Sequence, residues 1–126
     1  MSKPKYVLDS NVFISFVKGL LGTTPAAALP VDGKIFISVI TRIETLAYPQ
    51  ISAKEEEKIL AVLRHIPVVP LTRRVEKNAI IFRKKTKMKL PDCIVAATAI
   101  TLDAVLLSND SGLLNVKWPG LVVKRV

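Results

Sequence analysis

Residues 5–20, KYVLDSNVFISFVKGL, decide the fold. Lys5 to Asp9 reads as a strand, because Tyr6-Val7-Leu8 is a continuous apolar run that stops at a carboxylate. From Asn11 to Leu20 the spacing turns helical, with Val12, Phe13, Phe16, Val17 and Leu20 on one stripe. A strand apolar at consecutive positions is covered on both faces, and strand followed by helix is the first half of a βαβ unit.

The alternation continues along the chain. Gly22 to Gly33 is rich in Thr, Ala, Pro and Gly and reads as a connection, with Asp32-Gly33 as a turn before the strand Ile35-Phe36-Ile37. A helix from Val39 to Tyr48 is stopped by Pro49. Ser52 caps the next, since Glu55 stands three residues on as a capping-box partner and Ile59, Leu60, Leu63 and Ile66 continue its apolar face. Val68-Val69 is a short strand between two prolines, and Thr72 is the N-cap of a long basic helix that turns Val75, Ala79 and Phe82 inward. Pro91 is predicted at the first position of a helix from Asp92 to Leu102, apolar on nearly every side and therefore buried. Ala104 to Ser108 is a strand, Asn109 to Leu114 a turn or single helical turn, and Leu121 to Val123 a last strand. Strands alternating with helices predict an α/β fold with a parallel sheet covered by helices on both faces.

Composition narrows the function. The chain's 126 residues suit one domain spanning 1–126, and 50% hydrophobic content with a mean hydropathy of +0.38 is that of a folded chain. No apolar run approaches the roughly 18 residues of a membrane span, and MSKPKYVLDS lacks the apolar core of a signal peptide. The expectation is a cytoplasmic protein with no membrane partner. Cys93 is the only cysteine, which excludes an intramolecular disulfide and cysteine-built metal sites, and His65, the only histidine, excludes nucleases that use two histidines. A net charge of +9 points to an acidic partner such as nucleic acid.

Among only ten acids, four fall where chemistry is done. Asp9 ends a buried strand and Asp110 lies just beyond another, so both face the carboxyl edge of the sheet, where open parallel sheets bind ligands. Asp92 opens a buried helix, and Glu44 borders the apolar stripe of Val39, Ile40, Ile43, Leu46 and Ala47. Such carboxylates repel one another at a half-buried site unless a cation joins them. Oxygen-only donors select Mg²⁺ or Mn²⁺ over zinc, and phosphodiester hydrolysis is the chemistry such an ion serves. Taken singly, three of them have a plainer role, Asp92 as a first-turn acid, Glu44 as a solvated helix residue and Asp110 as a turn acid in SNDSG, whereas Asp9, an unpaired carboxylate ending a central strand, is harder to explain that way. The remaining acids are structural.

Between Arg73 and Lys89 eight basic residues face the single acid Glu76, a surplus of seven out of +9. Those nearest Asp92, namely Arg83, Lys84, Lys85, Lys87 and Lys89, are candidates for phosphate-backbone contact, with a solvated helix face as the alternative. Tyr48, Phe82 and Trp118 form no stacking series, which argues against sequence-specific single-strand reading. His65 and Trp118 are expected to be structural.

The order LDSNVF, ISVITRIETL, LPDCIVAATAI and VLLSNDSGLLNV resembles the PIN-domain nucleases over essentially the whole chain. The resemblance implies a three-layer fold with sheet order 3-2-1-4-5. It carries over Asp9, Glu44, Asp92 and Asp110 as metal-binding catalytic acids, with Asn11 and Ser108 as polar support. Small members with one domain are most often VapC-type toxins, ribonucleases that form homodimers and are inhibited by an antitoxin encoded beside them; the other reading within the family is an RNA-processing nuclease that is not a toxin. Two positions depart from the pattern, Cys93 where a small residue is usual and Gly112 where many relatives carry a further acid. A haloacid dehalogenase-like phosphatase would need a second acid where Asn11 stands. A non-enzymatic receiver domain would need paired acids at the first strand end, where Asp9 is alone.

Overall fold

A computed structural model describes residues 3–20, 22 and 29–126. In it the apolar run of the N-terminus becomes the central strand of a five-stranded parallel sheet, ordered β3-β2-β1-β4-β5. The strands are β1 (Lys5–Leu8), β2 (Lys34–Ser38), β3 (Val68–Val69), β4 (Val105–Leu107) and β5 (Val122–Lys124). The helices are α1 (Ser10–Leu20), α2 (Val39–Leu46), α3 (Ala53–Leu63), α4 (Arg73–Thr86), α5 (Leu90–Leu102) and the single turn α6 (Ser111–Leu114). Of the connection expected over Gly22 to Gly33, residues 23–28 lie outside the described residues.

Alternation along β1 builds the three layers. Val7 joins one core with Leu106, Phe82, Val95 and Ala99, under α4 and α5. Its neighbour Leu8 joins the opposite core with Ile37, Leu107, Val12, Phe13 and Ile59, under α1 and α3. Adjacent residues of a strand point to opposite faces, so a continuous apolar run is what a strand covered on both sides requires. Register sets Val7 beside Phe36 on β2 and Leu106 on β4.

The caps follow local chemistry. Ser52 and Glu55 form the reciprocal capping box of α3, and the Thr72 hydroxyl accepts from Val75 N–H at 3.2 Å to start α4. Thr86 ends α4, and Lys87 takes the left-handed conformation (φ 57°) that turns the chain into α5.

Several expectations shift. α1 begins at Ser10 rather than Asn11, because the Asp9 carbonyl already accepts from Phe13 N–H at 3.0 Å. α5 begins at Leu90, which moves Pro91 from the first to the second helical position, where its missing N–H still costs nothing. α2 ends at Leu46 rather than Tyr48, with Ala47 as its C-cap. The stripe assigned to α2 is also corrected. Its buried residues are Thr41 and Thr45, while Ile43 is 56% exposed. Threonine is tolerated inside because its hydroxyl bonds back to the helix, as Thr45 does to the Thr41 carbonyl at 2.7 Å. Among the described residues no helix is long and apolar enough to cross a membrane.

Candidate active site

The strand order reverses its direction of winding at β1, which is flanked by β2 on one side and β4 on the other. Crevices of open parallel sheets lie at the carboxyl ends beside such a point. Here Asp9, Ser10, Asn11, Glu44, Lys89, Pro91, Asp92 and Asp110 line a polar cleft of about 240 Å³. All four acids singled out in the sequence therefore meet, although Asp9 and Asp110 are far apart in the chain.

Their depths are graded. Asp9 is the floor, 5% exposed; Asp92 is partly buried on one wall; Glu44 and Asp110 stand exposed at the rim. Two donors fix the Asp9 carboxylate. Ser10 N–H gives to Oδ1 at 2.8 Å, and the fully buried Ser108 hydroxyl gives to Oδ2 at 2.8 Å. Ser108 also accepts from the Asp110 N–H at 3.0 Å, joining the ends of β1 and β4 through one side chain. Asp110 N-caps α6, accepting from Leu113 N–H at 2.9 Å. A Cβ at Gly112 would sit 3.0 Å from Asp110 Oδ2, so the absence of a side chain there leaves this cap uncrowded.

On the other wall the Ser10 hydroxyl donates to Glu44 Oε1 at 2.6 Å. It lies 3.0 Å from the Thr41 hydroxyl, and since its one proton goes to Glu44, Thr41 is the donor in that bond. Thr41 stands one helical turn before Glu44, so the chain Thr41–Ser10–Glu44 ties α2 to α1 and holds the carboxylate toward the cleft. Ser10 and Thr41 were missed as site residues in the sequence. The available signal was the Thr-x-x-Glu spacing of Thr41 and Glu44. Asn11, expected as polar support, lines the cleft and is exposed.

The electrostatics are those of a site short of positive charge. Burial pushes the Asp9 carboxyl up from its ordinary range, opposed by the bonds from Ser108 and Ser10, with the charges of Asp110 and Glu44 pushing it further up. Asp92 is raised first by burial and then by the charges of Asp9, Asp110 and Glu44, against which Lys89 acts. Clustered oxygen donors that disfavour one another's ionisation suit a hard divalent cation. As placed, no three His, Cys, Asp or Glu side chains among the described residues close around a single point. That spread leaves room for a cation that keeps several waters and takes only one or two carboxylates directly.

The basic candidates separate. Lys89 lines the cleft. Arg83 donates to the Met88 carbonyl at 3.3 Å, across the α4–α5 turn. Lys85 lies 5.7 Å from the centre of the Trp118 ring, and Lys84 and Lys87 are exposed.

The PIN domain family matches residues 6–119. The chain belongs to that family, a family of nucleases. No curated protein sequence matches it. In structure it is similar to VapBC2 from Rickettsia felis bound to a DNA fragment from their promoter, at 16% identity and a TM-score of 0.76, covering 97% of this chain and 98% of that one. A toxin-antitoxin complex from Klebsiella pneumoniae superimposes with a TM-score of 0.71 at 22% identity, over 93% and 95% of the two chains. DNA-bound VapBC from Salmonella typhimurium gives 0.71 at 18%, over 97% and 98%.

Proposed function

We propose that this chain is a divalent-metal-dependent endoribonuclease that hydrolyses RNA phosphodiester bonds, and that it is the toxin of a VapBC-type toxin–antitoxin pair acting in the cytoplasm. The observation that carries the catalytic part is the convergence of Asp9, Glu44, Asp92 and Asp110 on one cleft at the carboxyl edge of the sheet. A bound Mg²⁺ or Mn²⁺ would supply charge neutralisation at the phosphate and activation of water. Asp9 and Asp92 would hold it, with Glu44 and Asp110 at the rim. Ser108 and Ser10 N–H aim the Asp9 carboxylate, and the Ser10 hydroxyl aims Glu44. Lys89 draws a phosphodiester into the acidic cleft, where bare carboxylates would repel it.

Support for a toxin comes from the toxin–antitoxin complexes among the similar structures. An apolar groove of about 210 Å³ between α1, α2 and α3, lined in part by Ile14, Val17, Tyr48, Ile51 and Ile59, offers a seat for an antitoxin segment. The exposed side chains Leu71, just before α4, and Ile80 and Ile81 on it offer apolar surface for a homodimer. The purified protein should cleave single-stranded RNA with Mg²⁺ or Mn²⁺, stop in chelator, and leave a chromogenic phosphomonoester intact. Hydrolysis of the monoester with RNA untouched would replace this reading with a phosphatase.

A further inference from the structure

A third cavity, of about 300 Å³, contains no acid. Lys85, Thr86, Lys117, Trp118 and Pro119 line it. Its indole is held on several sides. The Phe82 ring, fully buried, packs against it with centroids 4.9 Å apart at an interplanar angle of 57°. Trp118, Pro119, Gly120 and Leu121 form a tight turn closed by Leu121 N–H to the Trp118 carbonyl at 3.1 Å. Gly120 at φ +83° after a proline is the type II pattern. Nothing lies within 4 Å of a Cβ built on Gly120, so it is the backbone angle and not space that asks for glycine there. The Lys85 ammonium stands over the ring, 5.7 Å from its centre.

The cavity is a short step from the cleft. Thr86, in its wall, closes α4, and Lys89, three residues later, lines the cleft. A three-residue span reaches about 11 Å at most. Met88, between them, packs beside the Cβ position of Gly112, 3.4 Å from its Cε, next to Asp110. A strand leaving the cleft over this turn meets Lys85, Lys117 and the indole within a few nucleotides.

We infer that this cavity is an accessory seat for single-stranded RNA, in which a phosphate flanking the scissile bond lies between the Lys85 and Lys117 ammonium groups and its nucleoside rests against Trp118. The inference rests on the ribonuclease reading of the cleft for its ligand. A fixed indole beside two cations is sequence-tolerant, because every base has a π-face and every nucleotide a phosphate. The seat sets how tightly RNA is held, not which bond is cut. The sequence alone hides it, since Lys85 and Lys117 are distant in the chain and Trp118 forms no series with other aromatics.

Trp118 is the only tryptophan, so intrinsic fluorescence reads the seat directly. In chelator, where no cleavage occurs, titration with a ten-nucleotide single-stranded RNA should change the fluorescence saturably. Lys85→Gln with Lys117→Gln should weaken that binding about tenfold and lower the salt slope by about 0.7, one phosphate contact on a single strand. With metal, the same variant should raise KM with kcat nearly unchanged. A protein that cleaves RNA while its fluorescence is untouched and the variant's KM is that of wild type overturns the seat and leaves the ribonuclease reading standing. Saturable binding lost in the variant, from a protein that cleaves no RNA, overturns the ribonuclease reading and leaves the seat standing.

Discussion

Ser108→Ala is the most informative single change to the scaffold of the site. The Ser108 hydroxyl is fully buried, donates to Asp9 Oδ2 at 2.8 Å and accepts from Asp110 N–H at 3.0 Å. A hydrogen bond to an ionised acceptor contributes about 1.5–3 kcal/mol and a neutral one about 1 kcal/mol. Losing both costs about 3 kcal/mol, and at roughly 3–5 °C per kcal/mol for a chain of this size Tm should fall by about 10 °C at neutral pH. The cost should depend on pH with a definite sign. Burial raises the Asp9 carboxyl and the Ser108 bond partly offsets this. A group whose folded pKa is raised contributes stability that is fully present below its unfolded pKa and is lost as pH rises through the folded value. Without Ser108 the folded pKa rises further and more is lost, so the deficit should be full at neutral pH and shrink on acidification as Asp9 becomes neutral. Thermal melts of both proteins across the acid range, repeated in an Asp9→Ala background, measure it. A variant within about 1 °C of wild type at neutral pH, a deficit that grows on acidification, or an undiminished cost without Asp9 would each mean that Ser108 does not stabilise the ionised Asp9 carboxylate.

Other outcomes follow from the same geometry. Asp92→Asn removes a carboxylate raised by burial and by its three acidic neighbours, so in chelator at pH 7 it should melt at or above wild type, an advantage that fades as acid neutralises the wild-type group. Mn²⁺ at about 100 times its Kd should stabilise wild type by about 2.7 kcal/mol and the variant by less; an unchanged metal response in a less stable variant would make Asp92 a helix-start residue only. Ser10→Ala leaves the buried Thr41 hydroxyl and Glu44 without their shared partner and should cost about 1–3 kcal/mol. Much of that cost should disappear in a Thr41→Val background, and melts of the two singles and the double measure the coupling.

How far the fold was legible depended on the range of the signal. The caps at Ser52 and Thr72 and the strand at Tyr6-Val7-Leu8 were readable because each is decided within four residues. Sheet order was not readable from spacing, since many parallel arrangements share one alternation of strands and helices; it came from the family resemblance and appears in pairings such as Tyr6 with Val105. Asp9 was legible as a strand-end acid. The inward face of α2 was misread because hydropathy favours Ile43 over Thr41 and Thr45, whose hydroxyls become satisfied only by the fold. Ser10 was hidden for the same reason, its partners lying on another helix.

Asp9→Asn strikes the proposed metal-dependent ribonuclease site at its floor, because the change removes a charge while nearly keeping the shape. Initial rates of single-stranded RNA cleavage in Mg²⁺ or Mn²⁺ should fall by at least about a hundredfold, roughly 2.7 kcal/mol of transition-state stabilisation, while the circular dichroism spectrum and the melt in chelator show an intact fold. Cleavage undiminished by Asp9→Asn, in a preparation whose wild type stops in chelator, would mean that the carboxylate cleft is not the site of cleavage.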